Sequence, residues 1–229
     1  MLRERARVVG AALSMGLLVA LVVGGLGSRL AMRVIAATSD PRLHGTLTSD
    51  NEPIGEISLA GTVSLVGFVG LAGGLVLGLG YLGVRRALPA DVRVRAAVAA
   101  VLVWCLGAST MFHADDFDFR MLEPRWLSVA MFSAIFLAAG ALTAVLVERA
   151  IDRWPAPTLR TGWRYLPLLV LAVVPPIVAV LAGLVALSAW QPARRAWSSP
   201  VVALVGRAAL VAIAAVLGLP AVGQVLEIV

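Results

Sequence analysis

The 229 residues are 60% apolar and only 14% charged, with a mean hydropathy of +0.95, which excludes an ordinary water-soluble globular domain. A net charge of +6 would suit nucleic acid in a soluble protein; in so apolar a chain it reads as the basic excess that flanks membrane spans, and no nucleic-acid partner is expected. The one cysteine, Cys105, excludes an internal disulfide and any CxxC redox or zinc site.

Six apolar stretches follow one another along the chain, at about 8–28, 58–84, 94–112, 126–147, 165–190 and 201–225. Each is near or above the ~20 residues that a helix needs to cross ~30 Å of hydrocarbon. No connection between them is long enough for a second domain. The expected fold is all-α, an integral membrane bundle of six transmembrane helices in a single domain over 1–229. The first stretch follows Arg3, Arg5 and Arg7 as a secretory signal would, but it is too long and ends at Ser28-Arg29 without a small-residue cleavage site, so it reads as an uncleaved span. In the fifth stretch Pro175-Pro176 removes two backbone donors and predicts a kink.

All nineteen basic residues are arginine, which together with abundant Ala, Gly and Pro points to a GC-rich bacterial genome and the bacterial plasma membrane. With the N-terminus cytoplasmic, the inner segments carry eleven arginines, from Arg3 through Arg85, Arg86, Arg93 and Arg95 to Arg164. The outer segments carry seven: Arg29, Arg33, Arg42, Arg120, Arg125, Arg194 and Arg195. That bias sets the N-terminus inside, and six spans would return the C-terminus to the same side. Trp154, Trp163 and Tyr165 fit the inner interface, among anionic headgroups, and Trp126, Trp190 and Trp197 the outer one.

Small residues recur every four positions. The first span has Ala12, Gly16, Ala20, Gly24 and Ser28; the second has Gly70, Gly74 and Gly78; the fourth has Ala130, Ala134 and Ala138. Lipid tails are as apolar as leucine, so helices in a bilayer associate through close backbone approach, which such rows permit. Gly16, Gly24, Gly70, Gly74 and Gly78 are therefore the expected packing residues.

No Asp, Glu or His falls in the interior of a span, which argues against proton- or sodium-coupled transport. Ionisable residues gather instead in the outer segments. Arg29 and Arg33 stand one turn apart, Arg207 lies inside the sixth span, and Glu56, His113, Asp115, Asp116 and Asp118 sit in the outer connections. These eight form the candidate outer-face polar cluster. The expected arrangement pairs the three arginines with Glu56, Asp116 and Asp118, with only one of the adjacent Asp115 and Asp116 facing inward. The His113 to Asp118 spacing matches no HExxH or EF-hand template, so no metal or other cofactor is assigned.

Three segments, Gly27-Ser28-Arg29-Leu30-Ala31-Met32-Arg33, Gly55-Glu56-Ile57-Ser58-Leu59-Ala60-Gly61-Thr62, and Asp116-Phe117-Asp118-Phe119 with Leu122-Glu123-Pro124, resemble a family of uncharacterised polytopic membrane proteins found mostly in actinobacteria. The resemblance covers about the first 145 residues and implies no activity. Three functions remain open. A non-catalytic membrane protein, acting in accessory, assembly or structural roles with the bilayer, other membrane subunits or a second copy of itself as partners, leads by elimination. A transporter or channel for a small or lipid-like solute would use the fifth helix, and an outer-face enzyme would use His113, Asp115, Asp116 and Asp118. Convergence of the outer ionisable groups on a cavity would favour the last two; pairing against the surface would favour the first.

Overall fold

The computed structural model describes residues 2–48, 53–56, 58–155, 158, 160–169 and 200–229. The described residues are all-α, and among them four helical runs are long and apolar enough to cross a membrane: Glu4–Thr38, Val92–Met111, Arg125–Arg153 and Leu204–Ile228. A shorter apolar helix, Val69–Val84, belongs to a fifth helical run. The fifth apolar stretch, with Pro175-Pro176, lies outside the described residues beyond its first turn, a 3₁₀ segment over Gly162–Leu169.

The first run extends well past the apolar stretch. It consists of α1 (Leu2–Val19), a π-helical segment (Ala20–Leu26) and α2 (Gly27–Thr38). Arginines end an apolar run without opposing helix, so the chain continues for three turns beyond Ser28. It stops at Ser39, whose extended backbone precedes Asp40-Pro41 and whose hydroxyl donates to the Ile35 carbonyl at 2.8 Å. The second run likewise joins α3 (Leu59–Leu65), a π segment (Val66–Gly73) and α4 (Gly74–Val84). α5 (Val92–Met111) opens on Asp91, whose carboxylate accepts from the amides of Arg93 and Val94 at 2.9 and 3.0 Å. The short α6 (Phe117–Met121) opens in the same way on Asp116, and α7 (Arg125–Arg153) follows. α8 (Pro200–Ile228) closes the chain.

α1 and α4 meet through glycine. A Cβ on Gly16 would lie 2.5 Å from the Gly74 carbonyl oxygen and 2.6 Å from the Gly78 nitrogen, and one on Gly78 would lie 2.6 Å from the Ala12 carbonyl oxygen. Only backbones without side chains come this close. Farther along, Gly24 packs under Val69 and Gly70 under Leu21, so the two π segments face each other. α5 and α7 form the other intimate pair: a Cβ on Gly140 would strike the Ala99 carbonyl, and Gly107 lies under the Phe136 ring. The contact face of α7 runs through Phe132, Gly140, Thr143, Ala144 and Val147, whereas Ala130 and Ala134 of the expected small-residue row are exposed.

Helix direction gives the bundle two chemically distinct ends. At the basic end Gly10 packs against Tyr165 and Trp154, and Arg85 and Arg95 both reach Glu148. At the acidic end the Ser39 hydroxyl, shared with the Ile35 carbonyl, also lies 3.2 Å from the Glu123 carbonyl, and Phe112 meets Phe119 edge-on with ring centroids 5.7 Å apart. α8 runs parallel to α5. Its Arg207 donates to the Ala87 carbonyl at 3.3 Å at the basic end, Gly218 abuts Cys105 half-way, and Gln224 accepts from the Ala114 amide at 2.7 Å at the acidic end.

Two expectations are corrected by this placement. Arg207 lies at the end opposite Arg29 and Arg33, and the C-terminal Ile228, buried beside Phe112 and Phe119, lies opposite the N-terminal turn of α1. Leu2 and Ile228 thus lie at opposite ends of the bundle.

Candidate functional site

The acidic end is covered by the connection after α2, whose residues 39–48 and 53–56 fold back on the bundle. Asp40 caps a 3₁₀ turn over Pro41–Leu43, and residues 45–47 pair antiparallel with 53–54, with Gly45 donating to Ile54 and Ile54 to Thr46 at 3.0 and 2.9 Å. Gly45 and Gly55, both at φ 81°, make turns of this connection; a side chain at either would be strained. The His44 ring donates from Nε2 to the Ala36 carbonyl at 3.0 Å, and Ile54 is buried, so the loop is held by both polar and apolar contacts.

Beneath this loop is a cavity of about 760 Å³, within the size range of small-molecule sites. Arg29 and Arg33 reach it from α2, Glu56 from the loop, and His113, Asp116 and Asp118 from the connection after α5. Six of the eight residues of the candidate cluster thus line one space. Asp115 is exposed and does not line it, and Arg207 lies at the other end of the bundle. Phe132, Met111, Val69 and Phe119 supply apolar wall.

The arginines do not take the expected carboxylate partners. Arg29 donates from Nη2 to the Thr62 hydroxyl at 3.2 Å, and Arg33 from Nη1 to the Gly55 carbonyl at 3.1 Å. Among the described residues neither makes an ion pair. Nε of Arg29 is buried with no hydrogen-bond partner among the described residues, and so is the Ser128 hydroxyl, which lines the same cavity. Buried polar atoms without partners are rare, because each forfeits its hydration without replacement.

Asp116 has a local task as well, since its carboxylate accepts from the Asp118 amide at 3.3 Å and starts α6. The His113 side chain is exposed at the rim. No group of three or more His, Cys, Asp or Glu side chains is placed to hold a metal ion among the described residues. The cavity can therefore recognise charge of both signs beside an apolar surface. Ser128, Thr62 and Val69 belong to this lining and carry no sequence signal that would have selected them from other span residues.

The basic end holds the contrasting arrangement. Glu148 receives Arg85 through Nε and Nη2, both at 2.7 Å, Arg95 through Nη1 at 2.7 Å, and the Tyr81 hydroxyl at 2.6 Å. The Glu148 hydrogen bonds hold the Arg85 guanidinium above its ordinary pKa, against the opposing effect of burial. Each of its charged groups has a partner within the protein, and it ties α4, α5 and α7 together.

Comparison with protein-family models, curated proteins and solved structures returns no match.

Proposed function

We propose that the chain is a multi-pass integral protein of a bacterial plasma membrane, with its basic end in the cytoplasm, and that the acidic-end cavity binds a ligand bearing an anionic group. The orientation rests on charge. Moving Arg207 to the basic end raises that side from eleven arginines to twelve, while Arg29, Arg33, Arg42, Arg120 and Arg125 make five at the acidic end; Arg194 and Arg195 lie outside the described residues.

The ligand reading is carried by Arg29. Its guanidinium faces a cavity with a buried N–H unsatisfied, and a charged donor left so costs more than the ~1–3 kcal/mol of a neutral orphan. A phosphate or carboxylate would accept from Nε and a terminal nitrogen together, the two-point geometry that a planar guanidinium favours. In this reading the site recognises and does not catalyse. It also replaces the purely structural reading, in which the outer arginines would be neutralised by loop carboxylates.

The test is binding by the detergent-solubilised full chain. Short-chain phosphatidic acid should raise its thermal midpoint, and Arg29→Met should abolish that rise while leaving the unliganded midpoint unchanged or higher. An equal rise in both proteins would refute the assignment.

A further inference from the structure

We infer that the ligand is a zwitterionic amphiphile, whose phosphate sits on Arg29 and Arg33, whose cationic group faces Glu56 and Asp116, and whose apolar tail runs down between the helices toward Val69 and Phe132. This rests on the anion-binding reading above and adds two things to it, the second charge and the tail.

The second charge follows from the lining. An anion site built only for a phosphate would gather cations, yet this cavity carries Glu56 and Asp116 as well as two arginines. Two carboxylates beside the arginines weaken the hold on a purely negative ligand relative to one that also carries a cation. The signs come from different elements: both arginines from α2, Glu56 from the loop, and Asp116 from the start of α6. A head carrying phosphate and ammonium together satisfies both sets, and complementary potentials of this kind set specificity more than affinity.

The tail follows from depth. Phe132 lies seven residues into α7 and Val69 ten residues into the run that begins at Leu59, which at 1.5 Å per residue puts them ~10–15 Å below the helix ends. A bare phosphate fills only a small part of 760 Å³ and gains nothing from an apolar wall. Acyl methylenes do gain, through dispersion contacts with Phe132, Met111 and the widened π turn that holds Val69.

Isothermal titration of the full chain in detergent with three probes separates these claims: inorganic phosphate, dihexanoyl phosphatidylglycerol and dihexanoyl phosphatidylethanolamine. The ethanolamine lipid should bind about tenfold more tightly than the glycerol lipid, and both more tightly than phosphate. In the double variant Glu56→Gln, Asp116→Asn the two lipids should bind alike; asparagine keeps the cap on α6, so a loss of preference reports charge and not folding. Equal binding of the two lipids by the wild type overturns the second charge, and phosphate binding as tightly as either lipid overturns the tail. Both outcomes leave the anion site standing. Binding of all three probes undiminished in Arg29→Met, or by none of them in the wild type, overturns the anion site and this inference together.

Discussion

Glu148 of α7 and Arg85, the residue that ends α4, form a two-point ion pair with both N···O distances at 2.7 Å. Arg95 and Tyr81 complete the group, so one carboxylate is shared by two guanidiniums from different parts of the chain. Glu148→Gln would leave two positive charges facing each other. The side chains are one-sixth to one-third exposed, which places the effect between the ~0–1 kcal/mol of a surface pair and the ~3–5 kcal/mol of a stranded buried charge. A loss of about 2 kcal/mol is expected, against about 1 kcal/mol for Tyr81→Phe, which removes one hydrogen bond. Denaturation of the two variants in mixed micelles gives the comparison, and the order Tyr81→Phe worse than Glu148→Gln would contradict it.

Two glycine substitutions should have opposite signs. A Cβ on Gly16 meets the Gly74 carbonyl, whereas one on Gly80 meets nothing within 4 Å. Alanine is the better helix former by ~1 kcal/mol, so Gly80→Ala should leave stability unchanged or raise it. Gly16→Ala must force α1 and α4 apart and should lower the thermal midpoint. Equal shifts would mean that the two helices adjust freely.

The position of α8 can be tested with the protein's own thiol. A Cβ on Gly218 would lie 2.9 Å from Cys105 Sγ, close to the span of a disulfide. Gly218→Cys should therefore cross-link to Cys105 under mild oxidation, while Gly206→Cys, which faces Ala87 at the basic end, should not. The reverse pattern would turn α8 over.

Orientation is checked separately. In a Cys105→Ala background, cysteines introduced at Thr46 and at Val229 should both react with an impermeant maleimide in intact cells, and one at Ala90 should not. Reaction at Ala90 alone would invert the bundle, and reaction at Thr46 without Val229 would return the C-terminus to the cytoplasm.

Much of this arrangement could be read from the sequence, for identifiable physical reasons. Arg29, Arg33, Glu56, Asp116 and Asp118 stand out because ionisable groups are rare in so apolar a chain, and Gly74 and Gly78 stand out because a glycine row costs helix propensity and needs a reason. Arg207 lies at the end the sequence does not predict, because a helix's direction follows from every crossing before it, and one miscounted crossing inverts the last span. Ala130 and Ala134 were misread because alanine is abundant, and rows of it occur on lipid-facing sides as well. The π segments carry no local signature: Ala20–Leu26 and Val66–Gly73 look like ordinary apolar helix. Thr62, Ser128 and Val69 became visible as cavity lining only once the helices were packed.

The π segment over Ala20–Leu26 has a consequence for the arginines that follow it. Each residue of an α-helix turns the chain by about 100°, and a π turn accommodates one residue more than an α turn over the same rise. Arg29 and Arg33 thus face the cavity through the phase that this wider turn sets for α2. Deleting one residue from 20–26 would therefore let the run close as a regular α-helix with both guanidiniums near their present direction, whereas winding the full segment as a regular α-helix would swing them by about 100° toward other neighbours. The angular position of the charge is therefore set by how the apolar residues before it are wound as well as by how many they are.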